Sequence, residues 1–199
     1  SLSLVKAYGD KGENEKQDKH IGKIKNSIAN LTDILNDFLS VSKLEEGKVE
    51  SESKEIDLKD FISNIVHEMS PLAKTGQKLI FNHEGVSSFI LDPKLFKHIL
   101  FNLISNALKF SPENSEINMK CEVSDDQMVF EIKDQGIGIS KMDQKHLFER
   151  FFRARNASNI QGTGLGLNIV SSYVDLMNGK VEVFSEENEG TRFKLVFQK

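Results

Sequence analysis

The apolar positions of the chain change period twice along its length. Ile21, Ile24, Ile28, Leu31, Leu35 and Phe38 step by three and four residues. This predicts one long helix over 18–46 with a heptad seam, the pattern that pairs helices in a coiled coil or bundle. Gly47 is placed to stop it. The stripe either packs on its own domain or meets a second helix, and its unbroken run after Gly22 favours the second. Before it, "SLSLVKAY" reads as the tail of another helix and "GDKGENEKQ" as a polar turn. Residues 1–50 are therefore expected to form a partial helical hairpin.

The charged "KVESESKEIDL" has no internal apolar period, which sets a boundary near 48–56 with a linker over 51–56. Asp57 is a candidate cap for a helix running to about Ala73, with Phe61, Ile62, Ile65, Val66, Met69 and Leu72 on one face. The period then shortens to two in "KLIFNHE" and "SFILD", lengthens over a helix from Leu95 to Phe110, and shortens again in "EINMKCEV" and "QMVFEIKDQ". Those last two flank "SDD" and predict a hairpin. A third helix is expected from near Leu165 to Asn178–Gly179, and "KVEVFSEE" and "TRFKLVFQ" make a final hairpin over "NEG". This order of helices and mostly antiparallel strands predicts an α/β (α+β) sandwich over 57–199, with helices on one face of a mixed sheet.

Composition narrows the classes. A 199-residue chain with 38% hydrophobic and 28% charged residues reads as an ordinary soluble domain with an appendage. A net charge of −4 gives no polycationic field, so nucleic acid is not expected as a partner. One cysteine, Cys121, excludes an internal disulfide and fits a reducing compartment. No apolar run approaches the roughly 20 residues that span a bilayer, and no membrane contact is expected. The absence of an initiator Met suggests a piece of something longer, whose remainder could carry an anchor.

Four stretches carry candidate chemistry. In "LFKHILFNLISNALKFSP", Leu100, Leu103, Ile104, Ala107 and Leu108 face a core, and Asn102, Asn106 and Lys109 share the opposite face. A solvated face would ordinarily carry Glu and Lys rather than two asparagines, which are poor interior helix formers. An amide oxygen suits Mg²⁺ and a lysine suits phosphate. In "IKDQGIGIS", Asp134 ends a strand ahead of Gly136 and Gly138: an ordinary turn, or a carboxylate that accepts from an exocyclic amine over a glycine-shaped floor. "LFERFFRARN" mixes Phe148, Phe151 and Phe152 with Arg150, Arg153 and Arg155, and an arginine is a natural phosphate contact. "QGTGLGL" is neither a Walker A loop nor a Rossmann fingerprint, yet it precedes a helix whose free N–H groups can meet an anion.

In this order the four stretches resemble the N, G1, F and G2 boxes of the catalytic core of sensor histidine kinases, over about 57–199. "IANLTDILNDFLSVSKLEEGKVE" resembles the second helix of that family's dimerisation and phospho-acceptor hairpin. The resemblance implies the Bergerat-type ATP-binding fold, a mixed, mostly antiparallel sheet backed by three helices, with ATP and Mg²⁺ under a lid at about 140–161. It implies Asn106 as the metal ligand and Asn102 beside the phosphates. Lys109 would be on phosphate, Phe110 against the nucleotide and Asp134 on the adenine amine, with Gly136 and Gly138 shaping the pocket. Arg153, with Arg155 as a further candidate, would meet phosphate. Gly162, Gly164 and Gly166 would form the lid hinge, with Thr163 among the nucleotide-binding residues, and Leu165 and Leu167 would begin the next helix. It further implies a homodimer through the hairpin, a response-regulator receiver domain as partner, and a cytoplasmic setting.

In gyrase-like relatives a glutamate stands where Asn102 stands here. Asn102 is no general base, which disfavours water as the acceptor. Among His20, His67, His83, His98 and His146, only "HEMSPL" at His67 approaches the family's acceptor motif. Its Pro is one residue early, its Arg is missing, and it lies inside the first helix of the ATP domain. The acceptor is therefore expected about ten residues before Ser1. The competing readings are a nucleotide-binding dimerisation or scaffold module and a gyrase-like ATPase.

Overall fold

The computed structural model describes residues 3, 5, 8, 14–160 and 162–199; for residues 25, 26, 29, 30, 33, 34 and 45 it describes the backbone alone. Contacts divide the chain into two compact units, Ser1–Lys43 and Leu44–Lys199. In chain order the elements are α1 (Asn14–Glu45), β1 (Lys54–Asp57), α2 (Leu58–Met69), β2 (Lys78–Gly85), β3 (Ser88–Leu91) and α3 (Pro93–Phe110), then β4 (Glu116–Val123), β5 (Gln127–Lys133), α4 (Lys141–Gln144), α5 (Gly166–Leu176), β6 (Lys180–Glu186) and β7 (Gly190–Gln198).

Helix α1 begins four residues before the expected start, so Asn14–Gln17 are helical rather than part of a polar turn. Glu15 in its first turn suits the positive end of the helix dipole. The expected first arm, 1–8, and the turn residues 9–13 lie outside the described residues, save that Ser3, Val5 and Tyr8 are helical. The Tyr8 ring stacks on His20 at 5.5 Å. Along the heptad seam Ile28, Leu31, Leu35 and Phe38 are each 57–65% exposed, an apolar stripe that asks for a partner. No helix among the described residues is long and apolar enough to cross a membrane.

In the second unit the expected linker 51–56 is corrected at its end: Lys54–Asp57 form β1, paired antiparallel with β3. The strand is four charged or half-buried residues long, and its pairing with a segment thirty residues downstream, not its own period, makes it a strand. Asp57 caps α2 as expected; its Oδ1 accepts from Asp60 N at 2.9 Å and its Oδ2 from Ser87 Oγ at 2.8 Å. The helix stops at Met69 rather than Ala73: Ser70 is still helical in φ and ψ, but Pro71 has no N–H to donate to the carbonyl four residues back, which ends the α-helical ladder. A 3₁₀ turn, Ser70–Leu72, follows and leaves Leu72 64% exposed, off the core face expected for it.

The main sheet runs β2-β4-β5-β7-β6. Only β2–β4 is parallel, so the sheet is mixed and mostly antiparallel, backed by α2, α3 and α5. Alternation sends Ile117, Met119, Cys121, Met128, Phe130, Ile132, Phe193, Leu195 and Phe197 into the core. The other face is polar, with Lys120 paired to Glu84 and Glu122, and Arg192 to Glu131. Burial pushes the Cys121 thiol up to about 12, so it behaves as a small apolar residue.

Helix α3 is pinned at its start by a cap and by the packing of its first turn. At its start Asp92 Oδ1 accepts from Lys94 N at 2.8 Å and Leu95 N at 3.0 Å, and Oδ2 accepts from Glu52 N at 2.7 Å. At its centre of packing, Phe96 meets Phe130 and Phe197 edge-on at 6.1 and 6.0 Å and stacks with Phe61 at 6.1 Å. Phe96→Ala is therefore expected to cost about 3–5 kcal/mol, whereas Phe184→Ala on the open face, 47% exposed, should cost far less. Urea unfolding of the two variants measures the difference, and equal losses would contradict this packing.

Candidate functional site

The floor of the site is the polar side of α3. Leu95, Phe96, Ile99, Leu100, Leu103, Ile104, Ala107 and Leu108 are buried. That burial turns Asn102, Asn106 and Lys109, each half-buried, to the other side. Asn102 Nδ2 donates to His98 O at 3.1 Å, so its carbonyl oxygen points away from its own helix turn. The Lys109 ammonium lies over the Phe110 ring, 5.1 Å from its centroid. Burial, and next the nearby Arg153 guanidinium, hold Lys109 below the ordinary lysine range.

The carbonyl end of α3 is closed completely, by residues that the sequence reading missed. Ala107 O accepts from Ser111 N at 3.1 Å and Leu108 O from Gln77 Nε2 at 3.1 Å. Lys109 O accepts from Lys74 Nζ at 2.8 Å, and Phe110 O from Ile137 N at 3.4 Å. All four carbonyls that a helix end leaves open thus have donors. Lys74 also reaches Ser111 O at 2.6 Å. Within "LAKTGQK" neither Lys74 nor Gln77 carries a local signal, because their partners lie more than thirty residues on.

One wall is the turn after β5. Asp134 is buried. Its Oδ1 accepts from Gly136 N at 2.8 Å and from Thr191 N at 3.1 Å, and its own N–H donates to Thr191 O at 2.9 Å. Burial raises its carboxyl above the ordinary range, and the two backbone donors partly offset this. Oδ2 accepts nothing among the described residues, leaving an acceptor ready for an N–H donor. A methyl at Gly136 would lie 2.9 Å from both Asp134 Oδ1 and Phe110 O, so the turn and α3 touch. Gly138, at φ +64, takes the left-handed conformation that lets the turn lie against the carbonyl of Glu186. The sequence marks Thr191 only as a strand residue; its backbone role depends on register across the sheet.

The segment from Ser140 to Ile160 follows that turn in the chain and contacts it; Gln161 lies outside the described residues. It holds α4, capped by Ser140, and a 3₁₀ turn, Arg155–Ala157. Asn156 Nδ2 ties that turn to Gly138 O at 2.9 Å. The Arg153 guanidinium donates to Ala157 O at 2.8 Å, Ser158 O at 3.1 Å and Ile160 O. Arg153 thus stands near Lys109 but is engaged on the segment's own carbonyls. Arg155 donates its backbone N–H to the buried Asp143 at 3.2 Å.

The glycine turn seats this segment on α3. A methyl at Gly162 would lie 2.8 Å from Lys109 Nζ, and one at Gly166 2.5 Å from Asn102 Oδ1. Gly164, at φ +73, packs so closely that a methyl there would meet Phe151 C at 2.7 Å and Phe152 O at 2.8 Å. Thr163 Oγ1 accepts from Leu165 N at 3.1 Å. Leu165 is buried and Leu167 half-buried at the start of α5, whose first turn has no side-chain cap. Its open N–H groups are available to an anion.

The site thus joins a buried acceptor, two neighbouring cations, an uncapped helix start and the Asn106 amide, a combination suited to a ligand with an amine-bearing ring and phosphates. Among the described residues no group of three or more His, Cys, Asp or Glu could hold a metal. A hard cation here would rely on one amide oxygen and on the ligand's own oxygens, which fits Mg²⁺.

Residues 91–199 match the family described as histidine kinase-, DNA gyrase B-, and HSP90-like ATPase. The chain is 34% identical over 190 residues to the autoinducer 2 sensor kinase/phosphatase LuxQ of Vibrio cholerae, covering 92% of this chain and 22% of that protein. It is 35% identical over 184 residues to the sensor histidine kinase GacS of Pseudomonas protegens, covering 87% of this chain and 20% of that one. The chain therefore spans about a fifth of the length of these relatives. The structure of full-length ShkA in complex with AMPPNP aligns with a TM-score of 0.78 at 25% identity, over 92% of this chain and 38% of that one. With the family match running over more than half its length, the chain belongs to the histidine kinase-, DNA gyrase B- and HSP90-like ATPases, and it carries the catalytic ATP-binding domain of a sensor histidine kinase.

Proposed function

We propose that this chain binds ATP with Mg²⁺ and donates the γ-phosphoryl group to a histidine on a dimerisation hairpin, for relay to an aspartate of a response-regulator receiver domain. The observation that carries the reading is the seating of the glycine turn on α3. Gly162 meets Lys109 and Gly166 meets Asn102, which brings the start of α5 to the same polar face as the two cations. Residues 57–199 act as the catalytic domain and 1–50 as part of the hairpin. The exposed α1 seam, Ile28 to Phe38, pairs two copies of the protein in the cytoplasm.

ATP supplies the transferable phosphoryl group and Mg²⁺ neutralises charge on its phosphates. Asp134 Oδ2 accepts from the adenine amine, over a floor shaped by Gly136 and Gly138. Phe110 borders the nucleotide. Lys109 and the N–H groups of Gly166 and Leu167 at the start of α5 receive phosphate oxygens, while Thr163 and Leu165 hold the turn before it through Thr163 Oγ1. Asn106 holds the metal through its amide oxygen, with Asn102 beside the phosphates. Arg153, with Arg155 as a further candidate, turns from the lid carbonyls to phosphate when nucleotide is bound. Asn102 offers no base to activate water, and its amide already donates to His98 O. Catalysis on this reading is positioning and charge neutralisation.

The direct test mixes the chain with labelled ATP, Mg²⁺ and a separately made hairpin bearing the acceptor histidine. Acid-labile label on the hairpin is expected. ATP binding without transfer would mean a nucleotide-binding scaffold, and free phosphate alone a gyrase-like ATPase. Asn106→Ala should lower transfer about 100-fold or more, and Gly164→Ala should impair it through strain at φ +73. Asn106→Ala should leave the unfolding midpoint within a few degrees, and normal transfer by either variant would undo its assignment. The depressed Lys109 pKa adds a pH signature. The ammonium is the binding form, so ATP affinity should fall on raising the pH before an ordinary lysine, near 10.4, would titrate. Lys109→Arg should flatten that fall, since arginine stays charged; an unchanged profile would remove Lys109 from the phosphate site.

A further inference from the structure

We infer that Lys74 is a positioning residue for nucleotide phosphate: by closing the carbonyl end of α3 it holds the Lys109 ammonium where the phosphates bind. This rests on the ATP reading above. Lys74 itself lies on an exposed turn between the 3₁₀ segment and β2, away from α3 in sequence. Its ammonium nevertheless donates to Lys109 O at 2.8 Å and Ser111 O at 2.6 Å. It thereby grips the main chain of Lys109 on one side and the residue after the helix on the other.

The turn that presents Lys74 is itself closed by Gln77. Gln77 Oε1 accepts from Lys74 N at 2.8 Å, and Gln77 N donates to Lys74 O at 3.0 Å. Gln77 Nε2 donates to Leu108 O at 3.1 Å and Pro112 O at 3.0 Å. The pair therefore forms one clasp around 108–112. A positive group at the carbonyl end also opposes the negative pole of the helix dipole. Helix ends fray when those carbonyls lack donors, and here the last turn carries Lys109 and Phe110. Fraying would release Lys109 from its place against Gly162 and over the Phe110 ring. Asp134 is held by Gly136 N in its own turn and by Thr191 N from β7. That turn touches α3 at Phe110 O, through Ile137 N at 3.4 Å, but neither donor to Asp134 belongs to α3, so both survive the loss of Lys74. Loss of Lys74 thus acts on the phosphate end of the site and spares the base end.

The full chain, titrated calorimetrically with ATP and by NMR with adenosine, tests this. Lys74→Met is expected to weaken ATP about tenfold, a fraction of the worth of a charge-assisted hydrogen bond, and to leave adenosine affinity within about twofold. Lys74→Arg, which keeps donors for both carbonyls, should recover most of the loss. In a Lys109→Met background, Lys74→Met should add no further loss, because its effect passes through Lys109. Three results would overturn the inference: equal losses for ATP and adenosine, unchanged ATP affinity, or a full additional loss in the Lys109→Met background. Failure of Lys74→Met to fold would overturn it as well, making the residue structural. Absence of ATP binding by the unsubstituted chain would instead remove the proposed function on which it stands.

Discussion

The buried carboxylate of Asp134 is the constraint around which the site is arranged. A carboxylate taken out of water is costly unless hydrogen bonds replace the lost hydration. Here one oxygen receives both replacements, from Gly136 N and Thr191 N. Those two donors come from the turn after β5 and from β7, so satisfying the charge fixes the turn against the sheet. The close approach of Gly190 to Asp134 O leaves no room for a side chain at that corner. What remains is the other oxygen, held in place and unpaired among the described residues. The desolvation that raises the Asp134 pKa also strengthens any hydrogen bond it accepts.

Helix α3 carries the geometry from that wall to the end proposed for phosphate. Its core face is locked by Phe96 among three other phenylalanines, which leaves the rotation of its polar face no freedom. Its last turn is then sealed by donors from a remote turn and from the Asp134 loop. The glycine turn before α5 exploits this rigidity. With no side chains in the way, backbone comes close to Asn102 and Lys109, and the uncapped start of α5 follows it. In contrast, Arg153 holds its own segment together through three carbonyls, so the phosphate contact proposed for it would require that segment to rearrange.

Features set by local period were readable from the residues alone. Helix α3, the β4–β5 hairpin and the last hairpin follow from spacing, and the shared face of Asn102, Asn106 and Lys109 follows from helix geometry. Features set by pairing at a distance were not. Strand β1 is too short and charged to show a period and exists because β3 lies beside it. Leu72 left the core face because Pro71 ended the helix early. Thr191, Lys74 and Gln77 act through partners 31 to 57 residues away, and no local pattern marks them. The engagement of Arg153 depends on a 3₁₀ turn with no apolar period to announce it.

The central claim is that this rigid floor and buried acceptor select an adenine nucleotide, and base selectivity tests it most directly. Adenine presents an amine at the position where guanine presents a carbonyl oxygen. Facing an unpaired carboxylate oxygen, the first donates and the second is repelled, a discrimination on the order of 100-fold or more for a site built around a hydrogen bond. In calorimetric titrations of the full chain with Mg²⁺ at neutral pH, the account predicts ATP binding at least about 100-fold tighter than GTP. Comparable affinities for the two nucleotides would contradict it.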